Sequence, residues 1–241
     1  MAIPSKQIGG SINYNLLWQI SKQLERLIEV RSNVTTSTTS TSTSTTTSTT
    51  TLDPNLIPIG TQIWTNRNLD VTTYRNGDVI PQVTDPTAWG ALTTGAWCYY
   101  NNDPTNNAVY GKLYNWYAVN DARGLAPLGY HIPLNSEWTT LISFLGGTSI
   151  AGGKMKSTGT SLWLSPNTNA TNSSGFTGLP GGYRVSDGSI FYGIGETVYW
   201  WTFSQSNIIN AVTRFLVYYA GAISVTTYDK KGGFPVRLIK D

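Results

Sequence analysis

Cys98 and His131 are each the only residue of their kind in a chain of 241, and that scarcity excludes whole classes of chemistry. One cysteine permits no intramolecular disulfide and no thiolate cluster for zinc or iron–sulfur. One histidine rules out a histidine-rich metal site, and a Ser-His-Asp triad would have to run through His131. Charged residues are also few, at 12%. The net charge of +3 is dispersed: Lys6, Lys22, Arg26 and Arg31 stand against Glu25 and Glu29 near the start, and from Asp53 onward twelve basic residues face eleven acidic ones. A near-neutral domain offers no basic stripe to phosphates, so nucleic acid is not an expected partner. No apolar run reaches 18 residues and the opening MAIPSKQIGG lacks the apolar core of a secretory leader, so neither membrane insertion nor secretion is expected. The chain is expected to fold in a reducing cytoplasm, with Cys98 a small buried hydrophobe between Trp97 and Tyr99.

What is present divides into three pieces. Residues 1 to 34 carry a helix signal: Ser11 or Asn13 can cap, and Leu17, Ile20, Leu24 and Leu27 follow at spacings of three, four and three. Two heptads are too short for a stable isolated coiled coil, and Leu16, Trp18 and Ile28 widen the stripe, so this helix needs partners. Copies of itself and a docking groove on a larger assembly both fit. A membrane-surface helix competes less well, because Glu25 and Glu29 dilute the basic face. Residues 35 to 56 form the second piece, with nothing but Ser and Thr from Thr35 to Thr51. Such a composition buries too little apolar surface to order a single chain and reads as a stalk, which several copies wound together would order.

The third piece, residues 57 to 241, is rich in Gly, Trp, Tyr and Asn and reads as short strands broken by turns. One helix is clearly signalled near Ser136 to Leu145: Ser136 or Asn135 caps, Glu137 occupies the first turn, and Trp138, Leu141, Ile142 and Leu145 share a face before Gly146-Gly147. A second helix is expected around Gly111 to Val119. The fold class expected is α+β.

Several blocks of this piece carry a resemblance: QIWTNRNLD from Gln62, YGKLYNWYAV from Tyr110, GYHIPLNSEWTTL from Gly129, AGGKMKSTG from Ala151, NSSGFTGLPGGYR from Asn172, YWWTFS from Tyr199 and GGFPVRLIKD from Gly232. In order and spacing they resemble the Fibrobacter succinogenes major paralogous domain, which is grouped with C-type-lectin-like and formylglycine-generating-enzyme-like folds. The resemblance implies a C-type-lectin-like head. It also implies a bridge lost as a pair, since Ala126 and Leu238 stand where the family usually has bonded cysteines. The stretch IPSKQIGGSINYNLLWQISKQLERLIEV resembles a short leader on structural proteins of tailed bacteriophages, including crAss-like phages. Leader, Ser/Thr tract and head then read as anchor, shaft and tip.

Reactive constellations are sparse. The block around His131 resembles a structural motif, and a hydrogen-bonded core histidine is expected there. No phosphate loop occurs, and the glycine pairs at Gly152, Gly181 and Gly232 read as turns. The formylglycine-generating branch relies on cysteine chemistry, which a lone Cys98 outside any matching motif opposes. Calcium-lectin motifs are missing, so no metal and no cofactor is expected, although Asp85, Asp103 and Asp187 lie in loop-like segments. The sequons at Asn169 and Asn172 read as polar loop. Trp200 and Trp201 read as core, at least one pointing inward. The expected binding face is the hairpin from Arg214 to Lys231, where Tyr219, Tyr228, Asp229 and Lys230 join aromatic area to polar reach.

These readings converge on a non-enzymatic bacteriophage virion fibre protein, assembled in the host cytoplasm. It is expected to be a homotrimer, attached to other virion proteins through its N-terminus and presenting a head to host-surface glycan or protein. A bacterial surface adhesion module is the alternative. An enzyme of the formylglycine-generating type ranks below it.

Overall fold

The computed structural model describes residues 55–241. The expected helix with Leu17, Ile20, Leu24 and Leu27, and all but the last two residues of the expected stalk, lie outside the described residues. The first described strands form a hairpin, β1 (Leu56–Ile59) and β2 (Gln62–Thr65), in which Leu56 pairs with Thr65.

The head mixes helices and sheets, and its two ends meet. Ile239 in the last strand, β11 (Ile239–Lys240), lies between Trp64 of β2 and His131 of β5 (Tyr130–His131), giving the order β1-β2-β11-β5. A second sheet has the order β10-β9-β8-β6-β7, built from β6 (Gly181–Arg184), β7 (Phe191–Ile194), β8 (Thr197–Gln205), β9 (Asn210–Val217) and β10 (Ser224–Asp229). The long β8–β9 pairing shifts register between Trp201 and Gln205. A third sheet is the short pair β3 (Trp97–Cys98) and β4 (Leu113–Tyr114).

Of five α-helices among the described residues, α1 (Pro86–Gly90), α2 (Asn107–Tyr110) and α3 (Trp116–Val119) are single turns. The best-signalled helix is present as α4 (Asn135–Phe144), with Trp138, Leu141 and Ile142 buried. Its cap is not the one expected: the Glu137 carboxylate reaches back to accept from the Leu134 N–H at 2.7 Å, while the Asn135 side chain accepts from Arg214 instead. The helix expected over 111–119 is mostly absent. Tyr114 exchanges backbone bonds with Phe234, at 2.9 and 3.0 Å, and pairs with Trp97 on its other side, so only the four residues of α3 are left to coil. Asn115 caps them by accepting from the Ala118 N–H at 3.0 Å.

The expectation that all three glycine pairs mark turns needs correction. Gly152 and Gly153 lie inside α5 (Thr148–Met155), and Gly181 and Gly182 lie in β6. At Gly152 the requirement is close approach rather than a turn: a Cβ there would stand 2.3 Å from the Ala222 carbonyl oxygen.

Eight tryptophans fall among the described residues and all are buried. Seven donate their indole N–H to an acceptor, including Trp116 to Thr202 O, Trp163 to Gly178 O, Trp200 to Asn68 Oδ1 and Trp201 to Tyr114 O. Trp138 is the exception. Adjacent on β8, Trp200 and Trp201 point to opposite faces and fall in two different buried clusters. Both are fully buried because this part of the sheet is covered on both sides. Ala126 and Leu238 share one of those clusters, so apolar packing surrounds both positions where the family resemblance implied a bridge. Cys98 is buried as expected, and burial pushes its thiol up to about 12.

The fully buried Arg237 ties these parts together without a carboxylate. Its guanidinium donates to Thr65 O, Phe176 O, Thr177 O and Asn68 Oδ1 at 2.8–2.9 Å, and it stacks 4.5 Å from the Phe176 ring. Burial lowers its pKa, and carbonyl dipoles and a ring face replace the solvation it gave up.

Candidate functional site

The expected hairpin is present as β9 and β10, with Ser224 opposite Phe215 and Asp229 opposite Asn210. Its four candidate residues do not form one surface. Tyr219 lies in the turn that joins the two strands and is 64% exposed. Tyr228, Asp229 and Lys230 lie at the other end of β10. Tyr228 packs on Phe234 and Tyr183, at centroid distances of 4.9 and 5.9 Å, and burial, with nearby Tyr183 and Tyr199, raises its hydroxyl to about 12. Asp229 accepts from the Lys231 N–H. Lys230, expected on a polar rim, is only 6% exposed: its ammonium donates to Ile208 O at 2.9 Å and lies 4.8 Å from the Trp116 ring. The exposed member of the four is Tyr219.

Tyr219 opens onto a groove that sequence reading did not assemble. Tyr183 of β6, Tyr192 of β7, Tyr199 of β8, and Tyr218 and Tyr219 after β9 line a volume of about 270 Å³, together with Glu196 in the β7–β8 turn. Cross-strand pairing sets Tyr183 opposite Tyr192. Tyr218 and Tyr219 meet at 5.2 Å with their planes at 89°, and Tyr183 meets Tyr199 at 5.1 Å and 65°. Tyr199 is fixed from behind by Phe215, stacked at 4.8 Å. The turn is held by two backbone bonds, Tyr218 N–H to Glu196 O and Glu196 N–H to Gly193 O, at 2.8 and 3.0 Å. Gly193 has φ of +79°, and a Cβ there would meet the Thr197 methyl at 2.4 Å, so the turn tolerates no side chain at that position. A signal for half of this site was available: the Asp187-Gly188 pair between two aromatic-bearing strands marks a hairpin, and closing it brings Tyr183 to Tyr192.

A larger cavity of about 490 Å³ lies elsewhere, lined mainly by Val119, Leu125, Ala126, Ile132, Leu134 and Phe203, with His131 also on its wall. The expected core histidine is hydrogen-bonded but is not core, since its side chain is 39% exposed. Nδ1 lies 2.6 Å from Asp241 Oδ1, and Nε2 lies 2.9 Å from Glu137 Oε1. Burial works against the charged ring, but the two carboxylates outweigh it and raise the pKa. With both nitrogens committed to carboxylates, the ring presents no free nitrogen to activate a hydroxyl.

Asp85, Asp103 and Asp187 serve local turns: their carboxylates accept from the N–H groups of Ala88, Thr105 and Ser189. Among the described residues no three His, Cys, Asp or Glu side chains cluster as a metal site. No helix among them is long and apolar enough to cross a membrane.

Comparison with known families places this geometry in context. The model of the Fibrobacter succinogenes major domain matches residues 57–240, and the chain belongs to that family. No curated protein and no solved structure matches the chain.

Proposed function

We propose that this member of the Fibrobacter succinogenes major domain family is a bacteriophage virion fibre protein whose head is C-type-lectin-like and recognises a host-surface glycan or protein. The observation that carries the reading is the tyrosine groove. Tyr192 and Tyr219 stand 52% and 64% exposed on a sheet whose interior is fixed by buried tryptophans. Exposed aromatic side chains on a rigid frame bring large contact area at little entropic cost, as recognition surfaces require. Family membership supports the lectin-like description of the head, as does the pairing of its first and last segments in one sheet.

In this reading residues 1 to 34 anchor the chain to other virion proteins and bring three copies together, and the Ser/Thr tract is the shaft. One site of this size binds weakly, so three heads per fibre and many fibres per particle supply the effective concentration. Light scattering of the full-length chain tests the assembly: three times the chain mass is expected, and a monomer at micromolar concentration would remove the fibre model. Recognition proceeds without metal, so particle adsorption should be unchanged in EDTA. Loss of adsorption there would restore a calcium-dependent mechanism.

A further inference from the structure

Cations in the interior of the head are matched to aromatic faces. Lys112 lies 4.9 Å from the Trp97 ring, Lys156 lies 5.4 Å from Trp163, Arg184 lies 4.5 Å from Trp89, and Arg237 lies 4.5 Å from Phe176. The groove has the same ingredients with the cation missing. Of its lining residues Glu196 alone carries a charge. No lysine or arginine among the described residues stands over any of its five tyrosine rings, and Glu196 makes no ion pair among them.

We propose that the groove binds an organic ammonium group, held by the tyrosine faces and neutralised by Glu196; this rests on the reading of the head as a recognition module. The negative face of each ring attracts a cation within about 6 Å of its centroid, and Glu196 in the lining adds a negative charge that forms no ion pair with any described residue. Shape favours a compact cation over a flat sugar ring. The perpendicular Tyr218 and Tyr219 make a corner rather than a stacking platform. The Thr197 hydroxyl is already donated to Leu216 O at 2.7 Å, so it is not free to donate to a sugar. A volume of about 270 Å³ suits one headgroup or one side-chain terminus.

The test is calorimetric titration of the full-length chain at low salt, where surface attraction is least screened. Choline is compared with 3,3-dimethylbutanol, its uncharged isostere of nearly the same shape. Choline is expected to bind about tenfold or more tightly than the isostere. Glu196→Gln should narrow that ratio severalfold, and Tyr192→Ala or Tyr219→Ala should remove most of the affinity. Lysine amide and glucosamine, run beside choline, identify the source: preference for one of the three points to a quaternary headgroup, a protein side chain or an amino sugar. Equal binding of choline and its isostere, or no binding of any of the three ammonium ligands, overturns the proposal. Adsorption of particles carrying Tyr192→Ala/Tyr219→Ala separates this from the wider reading. If ammonium binding fails but adsorption is lost in the double variant, the ligand class falls and the recognition head stands; if adsorption persists, the head's recognition role falls with it.

Discussion

Tyr199 and Trp200 are neighbours on β8, yet one faces the groove and the other is sealed in the core. The same contrast runs through the whole head. Tryptophans carry one N–H, and nearly all of them place it on a carbonyl or amide inside the fold. Among the groove tyrosines, Tyr192 and Tyr219 keep ring area exposed, while Tyr183 and Tyr199 pack partly against Phe234. Aromatic content alone therefore does not distinguish scaffold from site. What distinguishes them is whether the polar atom and the ring face are already satisfied by the protein.

The contrast breaks most readily at Arg237. Arg237→Met leaves Thr65 O, Phe176 O, Thr177 O and Asn68 Oδ1 short of a donor, and urea unfolding should show a loss of about 3–5 kcal/mol. A loss below about 1 kcal/mol would mean that water or repacking replaces it and that it does not hold the core. Gly152→Ala forces a methyl against the Ala222 carbonyl and should cost about 1–3 kcal/mol by the same measurement.

A finer comparison lies within the tryptophans. Trp200→Phe removes a donor from Asn68 Oδ1, whereas Trp138→Phe removes an N–H that has no partner. Both lose volume, so the difference isolates the hydrogen bond, and Trp200→Phe should be the costlier by about 1 kcal/mol. Equal costs would show that packing alone decides.

Much of the scaffold was legible in the sequence. The 3.6-residue pattern and Gly146-Gly147 located α4 to within a residue at each end, and the turn spacing indicated a β-rich head. Features set by distant contacts were not legible. Lys230 follows directly on a strand with no buried residue, but its ammonium is drawn inward by Trp116 and Ile208 O. Gly152-Gly153 looked like a turn because only tertiary packing reveals the backbone that crosses them. The groove escaped because it gathers tyrosines from β6, β7, β8 and the β9–β10 turn, and pairing rather than spacing brings them together. Of the tyrosines lining the groove, the sequence candidates included Tyr219 but not Tyr183, Tyr192, Tyr199 or Tyr218.

Smaller still is the His131 clamp between Asp241 and Glu137. Its folded pKa is raised above the ordinary 6.5, so its contribution is fully present below that value and is lost as pH rises through the folded pKa. The groups are partly exposed and solvent screens them, so the effect should be at most about 1 kcal/mol. His131→Gln should flatten this part of the stability–pH profile, and a profile unchanged by the substitution would assign the slope to other groups.

The central claim is that stability and recognition are divided between the tryptophan interior and the tyrosine groove. It is tested most directly by adsorption of particles carrying Tyr192→Ala/Tyr219→Ala, normalised to folded protein by the melting transition. Adsorption is expected to be abolished while the melting temperature stays within about 1–2 °C of the parent, as for exposed side chains. Retained adsorption, or a head that melts far below the parent, would contradict the division.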